Sequence, residues 1–542
     1  MMKRFILLLE MALLTLVIAA VIVLRSPYAA PVEPMREIEE IWAIEDARQE
    51  SETPLVTAMD NFGVPLGYDR ESNTFYCTLG LETGDEWPEI KLTVPQSRGV
   101  SVCFVDDYTY DWCADAIAEG YTYELIAYND THYSYMTIVF TGLPIISLDA
   151  YGEIGLEDTM GECTVAAGKD ESIARASVRT HLRGDGTYRY LDKKSYKIEF
   201  ARGATGSVTM DVPGLGATEA INLLAMGFDE TYMRDQLSWD VLSHVLPDKE
   251  IFSPRPAAYC ELFVEDEYMG LYLMSTPFDI AAELTRENGG GLSVDQLYRT
   301  TSLVATKDKP FLQDEDGQPY EAIHYQNNAN VFEGLEMYLA MREGMDDETF
   351  IREAEKHVDL DSALMYTLFL EAFALADNTN KNMYIWQHFT DGNYRYRFEL
   401  WDMDRSWDLD PGPMGDFWYS NRVPDRLLSL DVNGARQRFY ELWQDVRARG
   451  LNIELVTELV MEYDRQLSAS GAFWREVERW DKADTYIQSE KIISRAQMRL
   501  DWMDMVTRFI AETDGEIEFL DVGEREEAHF YPTYDIIAGG AQ

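Results

Sequence analysis

The sequence predicts an α+β protein: a small all-β domain, then a larger mixed domain, with an apolar transmembrane segment ahead of both. Three observations carry this. The N-terminus holds an almost unbroken apolar run from Phe5 to Leu24. Residues 55–145 contain short stretches of alternating apolar and polar residues separated by turn formers, the signature of half-buried strands. Beyond residue 145 such strands give way to long stretches with helical periodicity.

Residues 1–30 read as a cytoplasmic stub and signal anchor. Lys3 and Arg4 precede the apolar run, and only Glu10 and Thr15 interrupt it. At about 1.5 Å per residue the run is long enough to cross a bilayer. Basic residues on the near side favour an orientation with the bulk of the chain outside the membrane. Ala29 and Ala30 offer a weak cleavage site, so a signal peptide followed by secretion is the alternative. Residues 31–54 form an acidic, partly helical spacer.

Residues 55–145 follow as a small β-sandwich-like domain. Its strands are FYCTLGL, EIKLTV, GVSVCFV, YTYELIAY and YSYMTIVF, and no catalytic cluster stands among them. The mixed domain occupies 146–512, and 513–542 is an acidic tail expected to lack fixed structure. In the mixed domain Leu360 to Ala376 is apolar nearly all round, as a core helix is, and Tyr486 to Glu512 is a long amphipathic helix.

A formal net charge of −51 excludes nucleic acid as a partner, because phosphate binding needs clustered Lys and Arg. It suits the solubility of an exported surface protein and the capture of basic substrates. Cys77, Cys103, Cys113, Cys163 and Cys260 have neither metal-ligand spacing nor the density of a disulfide framework. The histidines form no H-x-x-x-H or H-E-x-x-H pair, and no G-x-S-x-G elbow exists, so zinc and serine hydrolases are disfavoured.

The most informative stretch runs from Ala376 to Trp407. Asp377 and Asn382 stand in D-x-x-x-x-N spacing, two apolar runs follow, and the second ends in Trp401-Asp402-Met403-Asp404. Phosphotransfer from a nucleotide needs such parts in this order. One carboxylate accepts the hydroxyl proton of the substrate, an amide oxygen helps hold metal, and a carboxylate after a hairpin clamps Mg²⁺ against phosphate. Upstream lie a glycine turn, Arg183-Gly184-Asp185-Gly186-Thr187, and a strand, Ser195 to Phe200, flanked and carried by Lys193, Lys194 and Lys197. A helix from Asp229 to Val245 carries Arg234, and a strand-turn-strand from Tyr259 to Leu273 has Glu265-Asp266 at its turn.

These blocks, RGDGT…KKSYKIEF, NLLAMGFDETYMRDQL, ELFVEDEYMGLYL, ADNTNKNMYIW and ELWDMDRSWD, resemble in order the spore coat protein H (CotH) family of atypical kinases over about residues 145–510. That family shows RG-x-S and K-K-S-Y, then D-x-S-x-x-R, a V-N-G-x-Y-x-G-x-Y hairpin, D-N-x-x-x-N and W-D-x-D. The resemblance implies a two-lobed protein-kinase-like domain that transfers the ATP γ-phosphate to Ser or Thr of surface or coat proteins outside the cytoplasm. It assigns Asp377 as catalytic base and Asp402 as the second catalytic carboxylate. Asn382, Asp402 and Asp404 become ligands of Mg²⁺ or Mn²⁺. Lys194 or Lys197 becomes the phosphate-contacting lysine, with Arg183, Gly184 and Arg234 completing the nucleotide site.

The chain departs from the pattern in places. No glutamate follows Leu273-Met274-Ser275-Thr276-Pro277, Arg299 stands where the family tends to show Lys, and Asp185-Gly186 replaces Asn-Ser. The alternative expectation is a catalytically inactive, kinase-like adhesion or structural protein that binds Ca²⁺ or glycans, its acidic loops including Asp408 and Asp410. Those loops lack the glycine and glutamate of an EF-hand.

Overall fold

The computed structural model describes residues 29–538 except 83, 96–98, 169–173, 204–205, 247–254, 278–295, 302–309, 315–316, 325–330, 380, 391–392, 408–417, 420, 483–487, 516 and 522–532. The apolar run from Phe5 to Leu24 and the pair Asp408 and Asp410 lie outside the described residues. Among the described residues no helix is long and apolar enough to cross a membrane.

The first unit begins with the Ala30–Glu33 strand, ahead of the expected residue 55. That strand pairs antiparallel with Leu92–Val94 through its first half and parallel with Ser101–Phe104 through its second. It thereby joins two sheets around one core that includes Phe75, Leu92, Leu125, Ile138 and Phe140. The spacer is therefore built into the domain: its Ile38–Asp46 helix buries Ile41 and Ile44 against Cys103 and Ile126. All five cysteines are buried and free.

Next comes an eight-stranded sheet, seven strands of which close into a ring while the short Gly206–Ser207 strand lies outside it. The Ala174–Arg183 strand pairs with Thr159–Ala166 on one side and Ser195–Arg202 on the other, which completes a ring through Ile145–Ala150, Ala257–Val264, Glu267–Ser275 and Ala220–Leu224. Closure leaves the ring without an open edge. Alternation decides its filling: Tyr196, Ile198 and Phe200 point inward with Val178, Ile221, Leu262 and Tyr272. Glu265 and Asp266, both with positive φ, form the two-residue hairpin turn that the twist of paired strands favours.

The helix expected from Asp229 starts later, at Arg234, and ends at Val245 as expected. The Asp229 carboxylate holds the preceding turn open. It accepts the Thr231 N–H at 2.9 Å and the Arg234 N–H at 2.9 Å, while Tyr232 takes a positive φ.

The second lobe has a five-stranded sheet, which includes Gln296–Thr300, Met383–Thr390 and Asn393–Leu400, set among helices. Its central Leu360–Ala372 helix is buried on nearly every face. It stops short of the expected Ala376 because Ala374 turns to φ 52°. The Ser489–Glu512 helix crosses it, and Arg499 of that helix meets Glu371 in an ion pair of 3.1 Å with both side chains fully buried. Among the described residues of the tail, Ile517–Asp521 and Thr533–Ala538 form strands that pair with each other, and the latter pairs with Trp418–Tyr419.

Candidate active site

The end of the core helix delivers Asp377. After Ala374 the chain makes a tight 3-10 turn over Ala376–Thr379 that buries Asp377 and Asn378. Asn378 Nδ2 donates to the Trp401 carbonyl at 2.7 Å, and the Asn382 N–H donates to the Thr300 carbonyl at 3.1 Å. These bonds fasten the loop to the two strands that flank Met383–Thr390, at one end of the sheet. Asp377 Oδ2 then receives Lys381 Nζ at 2.8 Å and Asn382 Nδ2 at 3.1 Å.

The hairpin that follows ends at Leu400, and Asp402 sits two residues on. Asn382 has φ 60° and Asp402 φ 58°, a region in which side chains other than Gly are strained by about 1–3 kcal/mol. Both strained residues come from the two motifs of the candidate site. The Met403 N–H donates to Asp235 Oδ1 at 2.9 Å, so the first turn of the Arg234–Val245 helix holds the Asp402 backbone in place.

Four carboxylates thus share one region. Burial pushes the Asp402 carboxyl above its ordinary range, and Asp377 pushes it the same way against Arg183, Lys381 and Arg299. Burial pushes Asp404 well above its ordinary range, reinforced by Asp402, Asp235 and Asp377. Asp235 rises to about 7 through burial and Asp402, opposed by the Met403 N–H, Arg183 and Arg255. Like charges kept together without full compensation are a donor set that a cation would relieve. Among the described residues no three acidic, His or Cys side chains form a self-sufficient metal cage. Mg²⁺ asks for less, taking one or two protein carboxylates and completing its shell with water and phosphate oxygens. The side chains present fit that requirement.

A narrow cleft opens beside these acids. Arg183, Asp235, Arg255, Trp401 and Asp402 line it, with Asn222 and Ser275 from the barrel strands. Arg183 is the last residue of its strand, and Gly184, at φ 78°, turns the chain immediately afterwards. A Cβ at Gly184 would stand 2.5 Å from Thr187 Oγ1, so the turn requires glycine.

The other expected nucleotide contacts fall elsewhere. Lys194 Nζ donates to the carbonyls of Tyr188 and Leu191, closing the short Asp185–Tyr190 helix. Lys197 lies opposite Asn222 in the sheet and so shares its face, but its ammonium meets Glu199 at 2.5 Å. Lys193 enters the core, 2.8 Å from Glu476. Arg234 is buried and meets Asp229 at 2.5 Å, a local clasp rather than a contact in the cleft. Sequence reasoning passed over Asp235, Arg255 and Lys381. For Lys381 the signal was its place four residues after Asp377 in a tight turn. Asp235 and Arg255 gave no local signal, because barrel closure and the hairpin bring them to Asp402.

A barrel lobe, a helical lobe and a carboxylate cluster at their join suit a kinase-like domain. A family model described as CotH kinase protein matches residues 180–503, more than half of the chain, and the chain belongs to this family. No curated protein matches it.

Proposed function

We propose that this chain is an ATP-dependent protein kinase that phosphorylates Ser or Thr of surface proteins outside the cytoplasm, anchored in the membrane by Phe5 to Leu24. The observation that carries the reading is the convergence of the two motifs: Asp377 raises the Asp402 carboxyl, and Asp402 lines the cleft with Arg183. In this reading Asp402 and Asp404, with Asn382 in support, would hold Mg²⁺ or Mn²⁺, which would supply positive charge to the nucleotide phosphates. Arg183 adds a fixed positive charge at the cleft wall. Asp377 accepts the proton of the attacking hydroxyl, while Lys381 and Asn382 keep its carboxylate oriented through Oδ2. The substrate oxygen forms a bond to the γ-phosphorus, the bond from that phosphorus to the bridging oxygen breaks, and ADP leaves. The acidic character of the chain, net −51, suits a basic segment around the acceptor residue.

The test is transfer of labelled γ-phosphate to a Ser/Thr protein by the full chain in detergent, with Mg²⁺ and with Mn²⁺. Wild type should transfer and Asp402→Ala should not, with the fold of the variant intact by circular dichroism. Equal transfer by both would remove the metal role from Asp402.

A further inference from the structure

The cleft holds a second arginine that no sequence motif singled out. Arg255 stands two residues before the Ala257–Val264 strand and is only 4% exposed. Its guanidinium carbon lies 4.4 Å from the Trp401 ring centroid and 5.0 Å from that of Trp239. Glu399 Oε1 lies 3.9 Å from one of its terminal nitrogens. Trp401 immediately precedes Asp402, and Trp239 lies on the helix that carries Asp235, one turn further along. Arg255 is therefore seated between the two elements that supply the carboxylates of the cleft.

The form of this seat matters. Stacking on indoles engages the faces of a guanidinium, whereas its N–H donors all lie in the plane and point outward from the edge. A guanidinium seated against indole rings carries its donors at its edge, and that planar fork matches two oxygens of one phosphate. A lysine in the same place would have neither the stack nor the paired donors. Arg255 also lines the same cleft as Arg183 and Asp402, so an anion entering there meets two arginines and the carboxylate assigned to metal. Both lysines of the K-K-S-Y block point away from it: Lys193 is paired with Glu476 in the core, and Lys194 closes a turn.

We infer that Arg255, seated against Trp239 and Trp401, grips the polyphosphate of the nucleotide together with Arg183, in the place a lysine is expected to fill. The inference rests on the phosphotransfer reading for the identity of the anion, but not for the site itself.

The experiment uses the full chain and two probes, Mg-ATP and inorganic tripolyphosphate, with binding followed by calorimetry. Arg255→Lys keeps the charge and removes stack and fork; Arg255→Ala removes all three. Both variants should bind both probes about tenfold or more weakly than wild type, as loss of hydrogen bonds to a charged partner implies. Tryptophan emission of wild type should shift on adding tripolyphosphate, and Trp401→Phe should lose most of that shift, which keeps a readout on a native-like chain if the arginine variants fail to fold. Binding by Arg255→Lys equal to wild type overturns the inference, as does weakened binding of ATP with tripolyphosphate unaffected. Tripolyphosphate binding through Arg255 in a chain that never transfers phosphate upholds the anion site and rejects the kinase reading. Wild type that binds neither probe overturns both.

Discussion

Two buried ionic clusters of this chain are built on opposite plans. In the first, Lys193 meets Glu476 at 2.8 Å, Glu476 Oε2 accepts the Leu271 N–H at 2.9 Å, and Lys193 stacks over the Tyr272 ring at 4.5 Å. Lys482 lies 3.7 Å from the same carboxylate and donates to the Tyr232 hydroxyl at 2.7 Å. Even Gly270 belongs to it: with φ 89°, a Cβ there would stand 2.2 Å from Glu476 Oε2. Close by, Arg475 and Glu261 are joined at 2.8 Å, and Arg475 also donates to Thr141 of the first unit at 2.8 Å. Each of these buried carboxylates has a cationic partner. In the second cluster burial raises Asp235, Asp402 and Asp404, neighbouring acids raise them further, and Arg183, Arg255, Lys381 and the Met403 N–H offset this only in part. A matched buried network fixes a fold, whereas accumulated like charge is kept where a ligand will supply the missing counter-charge.

The largest effect should come from the unmatched cluster. Replacing Asp377 by Asn keeps the shape of the turn and removes the base. Turnover should fall by about 10²- to 10⁴-fold, the usual range for a general base. Mg-ATP affinity should stay near that of wild type, since the assigned role of Asp377 is toward the hydroxyl. Single-turnover transfer and calorimetry separate the two. A variant that unfolds, or loses nucleotide binding with turnover unchanged per bound nucleotide, would make Asp377 a turn former.

The matched cluster should respond in stability instead. Glu476→Ala leaves Lys193 buried and uncompensated, which costs about 3–5 kcal/mol when one partner of a buried pair is removed. Asp402→Asn relieves repulsion and should leave stability equal to wild type or above it. Denaturant unfolding of both variants measures the contrast, and a comparable loss in each would erase the distinction between the clusters.

The same distinction explains what the sequence made legible. Alternation in Tyr196, Ile198 and Phe200 fixes which face fills the barrel, and the spacing of Asp377, Asn382 and Asp402 marks the loop that gathers at the cleft. Partner choice was harder, though parts of it were visible. Lys197 and Glu199 are two apart on a strand and so share a face, which anticipates their pairing. Asp229-x-Thr231-x-x-Arg234 is the pattern of a side chain capping its own turn, which anticipates the clasp. Arg255 and Asp235 stayed hidden because their neighbours, Trp401 and Met403, reach them only through tertiary closure. The tail misled for the opposite reason: its acidic composition suggests solvation, yet Thr533–Ala538 finds a strand partner in Trp418–Tyr419.

The smallest effect, and the one that reads both clusters in a single chain, is the pH dependence of stability. Asp235 has its carboxyl raised to about 7, so between about 4 and 7 the folded chain holds a proton that the unfolded chain has released. Stability from this group is fully present below about 4 and is lost as pH rises through about 7. Lys193 shifts the other way: burial lowers its ammonium to about 8, despite the opposing pull of Glu476, so above 8 the folded chain releases a proton that the unfolded chain still holds. From about 8 to about 10.5 that group should make stability rise with pH. Asp235→Asn should flatten the acid-side fall and leave the alkaline rise unchanged, and Lys193→Met should do the reverse. Urea unfolding in a buffer series at constant ionic strength checks both slopes. If Asp235→Asn changes nothing on the acid side, the protons taken up there belong to Asp404 or another acid. The strain between Asp235 and Asp402 would then not be what distinguishes the cleft from the matched network.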